Sequence, residues 1–279
     1  MTSLLESINA RISVRSYSAE KIPEGPLNSL VSFMSAITEG PFGTKVRFLF
    51  LDESASSTEG LKKLGTYGMI SGDMYYIAGA AEKGPWAEMD YGYCLERIIL
   101  KATELGLGTC WLGGSLNRKT FSDKISLKDN EIIPSITPVG IPSNQTRLKI
   151  RIIQNVMQVR KRKEFGSIFF DAVPGTPLAK EGLGEWATVL EAVRSGPSAS
   201  NKQPWRIIKN GNGFDFYLDF DPVYNSVFKE FSIQKIDIGI ALCHFELSAK
   251  ELKLPGSWKT KKEAPAAGKL MYITSWNYS

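Results

Sequence analysis

The sequence predicts an α+β fold, an α/β sandwich whose sheet is covered by helices, built as two pseudo-symmetric halves on one chain. Three observations predict it. Helix-like and strand-like segments interleave along the 279 residues instead of falling into separate blocks. Two long apolar segments in different halves match each other without a gap. Each of them follows the same order of shorter elements.

The match pairs Asp90 with Asp237, Gly92 with Gly239, Leu95 with Leu242, Leu100 with Leu247 and Ala102 with Ala249. It continues through Glu104/Glu251, Leu105/Leu252, Leu107/Leu254 and Trp111/Trp258. Helical periodicity alone would align Leu and Ala, but not Asp, Gly and Trp together. Upstream, a helix-like stretch ending at Pro41 precedes the strand VRFLFLD, and another ending at Pro197 precedes WRIIKN. Each half therefore reads as helix, Gly-Pro loop, strand, long helix and a short Trp-containing strand.

The long helices are expected at about 86–106 and 232–253, apolar on more than one face as buried helices are. Strands rich in Ile, Val, Phe and Tyr are expected at 45–52, 73–81, 136–140, 205–210, 214–220 and 270–276. Residues 142–165 carry Pro, Asn and a run of charge, and the division is placed at 1–150 and 151–279.

Composition removes several classes of function. No apolar run is long enough to span a bilayer, and the polar N-terminal stretch MTSLLESINARISVRSYS does not resemble a secretory signal. Cys94, Cys110 and Cys243 are spaced as free thiols of a reducing compartment, which points to the cytoplasm. His244 is the only histidine, so Ser-His, Cys-His and multi-histidine metal chemistry lack their parts, and no metal site is expected. The net charge of +5 reads as ordinary surface charge, with attraction of an anionic cofactor as a second reading.

Four segments could carry chemistry. In Arg11-Ile-Ser-Val-Arg-Ser-Tyr17, Arg11, Ser13 and Arg15 alternate along an extended stretch and share one face. Two guanidinium groups and a hydroxyl converging there suit a phosphate, because Arg donates bidentately and keeps its charge. The plain alternative is a solvated basic strand. Gly196-Pro-Ser-Ala-Ser-Asn-Lys-Gln-Pro-Trp205 is a tight loop between helix and strand, small enough for a planar ring to approach its backbone. Asn201 and Gln203 there could offer amide donors and acceptors; the alternative is simply a well-made turn. Gly106-Leu-Gly-Thr-Cys-Trp-Leu-Gly-Gly114 is glycine-rich backbone that passes close to something flat, yet it fits neither phosphate-loop fingerprint. Cys110 within it reads as a packing residue. Arg160-Lys-Arg-Lys163 is a basic cluster that could meet a phosphate or a nucleic acid.

In this order the four segments resemble the nitroreductase family of flavoproteins, in the branch where one chain carries two fused halves. ARISVRSY is similar to the family's Arg-Arg-Ser-x-Arg-aromatic motif, with Ile12 in place of the middle arginine. GPSASNKQPW resembles its Pro-Ser-x-x-Asn-x-Gln-Pro-Trp loop, and GLGTCWLGG resembles the strand at the flavin's reactive edge. The resemblance implies a nitroreductase-like fold and one FMN per chain. It implies that Arg11, Ile12, Ser13, Arg15, Arg160 and Arg162 hold the phosphate and ribityl end. Pro197, Ser198, Ala199, Ser200 and Asn201 would line the isoalloxazine, and Leu112, Gly113 and Gly114 would offer it backbone.

The departures set the stoichiometry. The first-half counterpart of the loop, GPFGTKVRF, lacks Asn and Gln-Pro-Trp. In the second-half counterpart of the Gly-rich strand, Lys253 and Pro255 stand where the first half has Gly106 and Gly108. One composite site per chain is therefore expected, with its pseudo-equivalent lost. The resemblance implies an FMN-dependent oxidoreductase passing electrons from transient NAD(P)H to a nitroaromatic, quinone or related acceptor. No side chain is required as acid or base, so no catalytic residue is named. The rival readings are a flavin-binding sensor or carrier without turnover, and a nucleic-acid binder using VRKRKEF. The expected partner is a small-molecule substrate, with neither nucleic acid nor membrane. The chain is expected to be a pseudo-dimeric monomer, with further dimerisation left open.

Overall fold

A computed structural model describes residues 3–52, 70–72, 74–114, 116–143, 162–228, 230–263 and 265–278. The chain divides into two compact units, Met1–Val159 and Arg160–Ser279. The division expected at 150/151 lies outside the described residues, as does Arg160.

The first unit runs α1 (Leu4–Ala10), α2 (Glu24–Ser35), β1 (Val46–Leu51), β2 (Tyr75–Glu82), α3 (Ala87–Glu104), β3 (Gly108–Thr109), α4 (Arg118–Ile125), β4 (Glu131–Ile132) and β5 (Ile136–Gly140). Among the described residues its strands form a five-stranded antiparallel sheet of order β1-β2-β5-β3, with β4 also paired to β2. Side chains alternate across β2, so Tyr76 meets Phe121 of α4 on one face, ring centroids 5.6 Å apart. On the other face Phe48 of β1 meets Tyr91 of α3 at 5.3 Å. Helices thus cover both faces. α2 is shorter than the apolar pattern suggested: it ends at Ser35, and the residues to Pro41 form the loop into β1.

The second unit runs β6 (Phe169–Asp171), α5 (Trp186–Ser195), β7 (Trp205–Lys209), β8 (Gly213–Leu218), α6 (Pro222–Asn225), α7 (Ile233–Glu251), β9 (Ser257–Lys259) and β10 (Met271–Asn277). Its sheet order among the described residues is β6-β7-β8-β10-β9. Phe214 and Phe216 of β8 pack on Phe245 of α7, with Trp258 and Trp276 closing the aromatic cluster. Asp215 and Tyr217 point to the opposite face.

Set beside each other, β1-β2-β5-β3 and β7-β8-β10-β9 are the same antiparallel order around one long helix. The long helices also end alike. Leu107 N–H donates to Ala102 O and Leu254 N–H to Ala249 O, both at 2.8 Å, across a left-handed residue. That residue is Gly106 (φ 75°) in one unit and Lys253 (φ 57°) in the other. The short strand after α3 stops at Thr109, before Trp111, whereas β9 includes Trp258.

Candidate cofactor site

In the first unit the basic segment and the glycine-rich strand lie side by side. Val14 N–H donates to Thr109 O at 2.8 Å, and Ser13 pairs with Thr109 in parallel register. The segment continues with Tyr17 N–H on Ser71 O and Ser71 N–H on Arg15 O, both at 2.9 Å. Gly108 permits this approach. A Cβ there would sit 2.8 Å from Val14 Cβ, so any side chain would push the two segments apart. Two of the four glycines in this stretch are thereby explained by backbone packing, Gly106 as the left-handed helix end and Gly108 as the close approach.

Val14 and Tyr17 turn inward, Ile12 is half-buried, and Ser13 and Arg15 are exposed. Arg11 departs from the alternation expected for it. It is the C-cap of α1, its N–H bonded to Ser7 O at 2.9 Å, and its side chain is only 4% exposed. Arg11 Nε lies 3.9 Å from Glu96 Oε1, beyond hydrogen-bond reach, and Nε and Nη1 are buried donors without a hydrogen-bond partner. Burial lowers the Arg11 pKa while Glu96 opposes that shift. Glu96 also accepts the indole N–H of Trp111 at 2.7 Å. In the second unit Glu246 accepts from Trp258 at the same distance. Burial pushes the Cys110 thiol up, which agrees with a packing role.

Leu112 is paired to Ile136 by two backbone bonds, its own N–H donating at 3.0 Å. That N–H belongs to the sheet, so a backbone donor toward a ring would come from Gly113 or Gly114. Gly113 O accepts from Arg118 of α4, whose guanidinium also reaches Ile133 O and Pro134 O at 3.3 Å. Arg118 fixes this turn, and nothing in its sequence surroundings marked it.

In the second unit Pro197, Ser198 and Ala199 are half-buried, and Ser200 and Asn201 are exposed. The backbone is left-handed at Ser200 (φ 48°), Asn201 (φ 55°) and Gln203 (φ 45°). For residues other than glycine this costs about 1–3 kcal/mol each, and it persists only where surroundings over-determine it. They do so here. Ala199 N–H donates to Asp237 Oδ1 and Gln203 N–H to Ser198 Oγ, both at 2.9 Å. Gln203 Nε2 donates to Asn201 O and Oδ1, both at 3.2 Å. Arg162 donates through Nη1 to Asn201 Oδ1 and through Nη2 to Ser195 O. Ser200 Oγ is 3.0 Å from Tyr224 Oη.

Asp237 is buried at the start of α7, and its Oδ2 has no hydrogen-bond partner. Burial holds its carboxyl well above the usual range, against the Ala199 bond. Asp90 is its counterpart: it accepts from Phe42 N–H at 3.0 Å and Thr44 N–H at 2.9 Å in the first-unit loop. That loop instead stacks Phe42 on Trp86, centroids 4.5 Å apart. The repeat pairing of Asp90 with Asp237 was the sequence signal for this role, and it carried no function by itself.

A family model described as "Putative TM nitroreductase" matches residues 3–249. The chain belongs to this nitroreductase family. Membership implies an oxidoreductase. Among solved structures, a protein described as "a putative nitroreductase" from Thermotoga maritima MSB8 is 22% identical, with a TM-score of 0.61 over 99% of this chain and 93% of that one. That likeness shows the nitroreductase fold. A nitroreductase family protein from Clostridium novyi NT is 17% identical, covers 52% of this chain and 87% of its own, and has a TM-score of 0.41. A nitroreductase with bound FMN from Bacteroides fragilis NCTC 9343 is 19% identical over 51% of this chain and 90% of its own, at a TM-score of 0.37. No curated protein sequence matches. Among the described residues no helix is long and apolar enough to cross a membrane, and no cluster of His, Cys, Asp and Glu could hold a metal.

Proposed function

We propose that this nitroreductase-family chain binds one FMN and passes electrons from NAD(P)H to a small acceptor such as a nitroaromatic or quinone. The observation that carries the reading is the first-unit pairing of Ser13 and Val14 with Thr109, which joins a cationic segment to glycine-rich backbone. The donor set fits an anionic cofactor. Arg11 has buried donors lacking partners, and Ser13 and Arg15 are exposed beside it in sequence. A fixed guanidinium with unspent donors suits a phosphate, which brings several acceptors at once. Ile12 packs against the apolar cluster that holds Val14, Tyr17 and Leu112, and Arg160 belongs to the same proposed phosphate set by resemblance.

Bound FMN would supply the hydride chemistry; the protein supplies binding, orientation and hydrogen bonds. Pro197, Ser198, Ala199, Ser200 and Asn201 would present a pre-shaped backbone to the ring, and Gly113 and Gly114 backbone donors. The NAD(P)H donor, the acceptor class and a cytoplasmic setting belong to this proposal, as does the pseudo-dimeric monomer. An absorption spectrum of purified protein, acid release and chromatography test the cofactor, and anaerobic bleaching by NADH or NADPH tests the donor. Protein that neither contains nor takes up flavin would overturn the reading. A yellow protein that neither nucleotide bleaches would leave the carrier function in its place. Arg15→Ala should weaken FMN binding about tenfold or more, the loss of a charge-assisted contact, in an equilibrium titration.

A further inference from the structure

The resemblance groups Arg162 with the phosphate ligands, but its surroundings belong elsewhere. Its guanidinium ties the loop to the end of α5, donating to the Asn201 amide oxygen and to the Ser195 carbonyl, the latter at 2.9 Å. Ser195 is the last residue of α5, where the helix presents unpaired carbonyls that favour a cation. The next residue is tied to the same loop, with Lys163 N–H donating to Gln203 Oε1 at 2.9 Å. Turning Nη1 and Nη2 onto a phosphate would break both of these bonds. It would also remove one of the contacts that hold Ser200, Asn201 and Gln203 in left-handed backbone.

We propose that Arg162 is a positioning residue for the Pro197–Asn201 loop, serving the ring end of the flavin and not its phosphate. This rests on the flavin reading above. FMN and riboflavin differ only in the phosphate, so they separate the two roles. A phosphate ligand contributes to FMN alone, whereas a loop brace contributes equally to both.

The experiment titrates flavin-free protein with FMN and with riboflavin, following the flavin absorption band. Arg162→Gln should weaken both by a common factor of about ten, the scale of a hydrogen bond to a charged group, and leave their affinity ratio unchanged. The bound flavin's spectrum should shift, since the loop that lines the ring relaxes. Arg162→Lys keeps the charge, guards against a folding defect, and should give a smaller loss with the same ratio. Arg15→Ala should instead lower the ratio. Weakening of FMN alone by either Arg162 variant would overturn the proposal, as would no effect on either ligand. Wild-type protein that binds neither ligand would overturn the flavin reading itself, and this proposal with it.

Discussion

At the residue scale, Asp90 and Asp237 occupy matched positions near the starts of α3 and α7, and each accepts from the loop that leads into β1 or β7 of its own unit. Asp90 accepts two backbone N–H groups, Asp237 one. The difference follows from the loop: Asn201 N–H turns back to Ser198 O, and the second Asp237 oxygen is left without a donor. A buried carboxyl so poorly compensated resists ionisation, which raises its folded-state pKa above the unfolded value near 3.9. In the window between the two values the folded state holds the proton more tightly. Stability therefore falls as pH rises from about 4 through the folded pKa. Asp237→Asn keeps the acceptor without the ionisation and should abolish that fall. Urea titrations at about pH 5 and about pH 8 would check it: the variant's advantage should grow toward the higher pH. A constant difference between the two would count against a neutral Asp237.

At the scale of elements, the ends of the long helices offer a controlled comparison. Both close with the same bond pattern, but only one places glycine in the left-handed position. Lys253→Gly should raise stability by about 0.5–1 kcal/mol, and Gly106→Ala should lower it by about 1 kcal/mol, read as shifts in thermal midpoint. Gly108 is constrained differently, by Val14 lying across it. Gly108→Ala should cost about 1–3 kcal/mol through overpacking. Because it displaces the Ser13–Arg15 segment, it should also weaken FMN binding. A stable Gly108→Ala protein with undiminished flavin affinity would remove the link between that contact and the cofactor.

At the scale of the whole molecule, the two units share strand order, helix ends, a loop held by an aspartate and a Trp–Glu pair. The pseudo-symmetric arrangement expected from the sequence would share such features. The two loops carry different chemistry. The first-unit loop carries Phe42 stacked on Trp86, where the second has Ser198–Asn201. The basic segment has no counterpart recognised in the second half. One flavin per chain is the expected stoichiometry, measured as acid-released FMN against protein concentration. A ratio near two would show that both loops bind.

Much of this was legible in the residues. Six strands and both long helices could be placed because period-2 and period-3.6 patterns are local properties, and the Gly-Pro loops announce themselves by composition. The pairing of Asp90 with Asp237 was also visible, as a match without a meaning. Tertiary structure alone decided what depends on contacts distant in sequence. It placed Val14 against Gly108, buried Arg11 near Glu96, committed the Leu112 N–H to the sheet, and turned Arg162 onto Asn201. A guanidinium reads the same in a sequence whether it meets a ligand or braces a loop. Only the positions of its acceptors tell which.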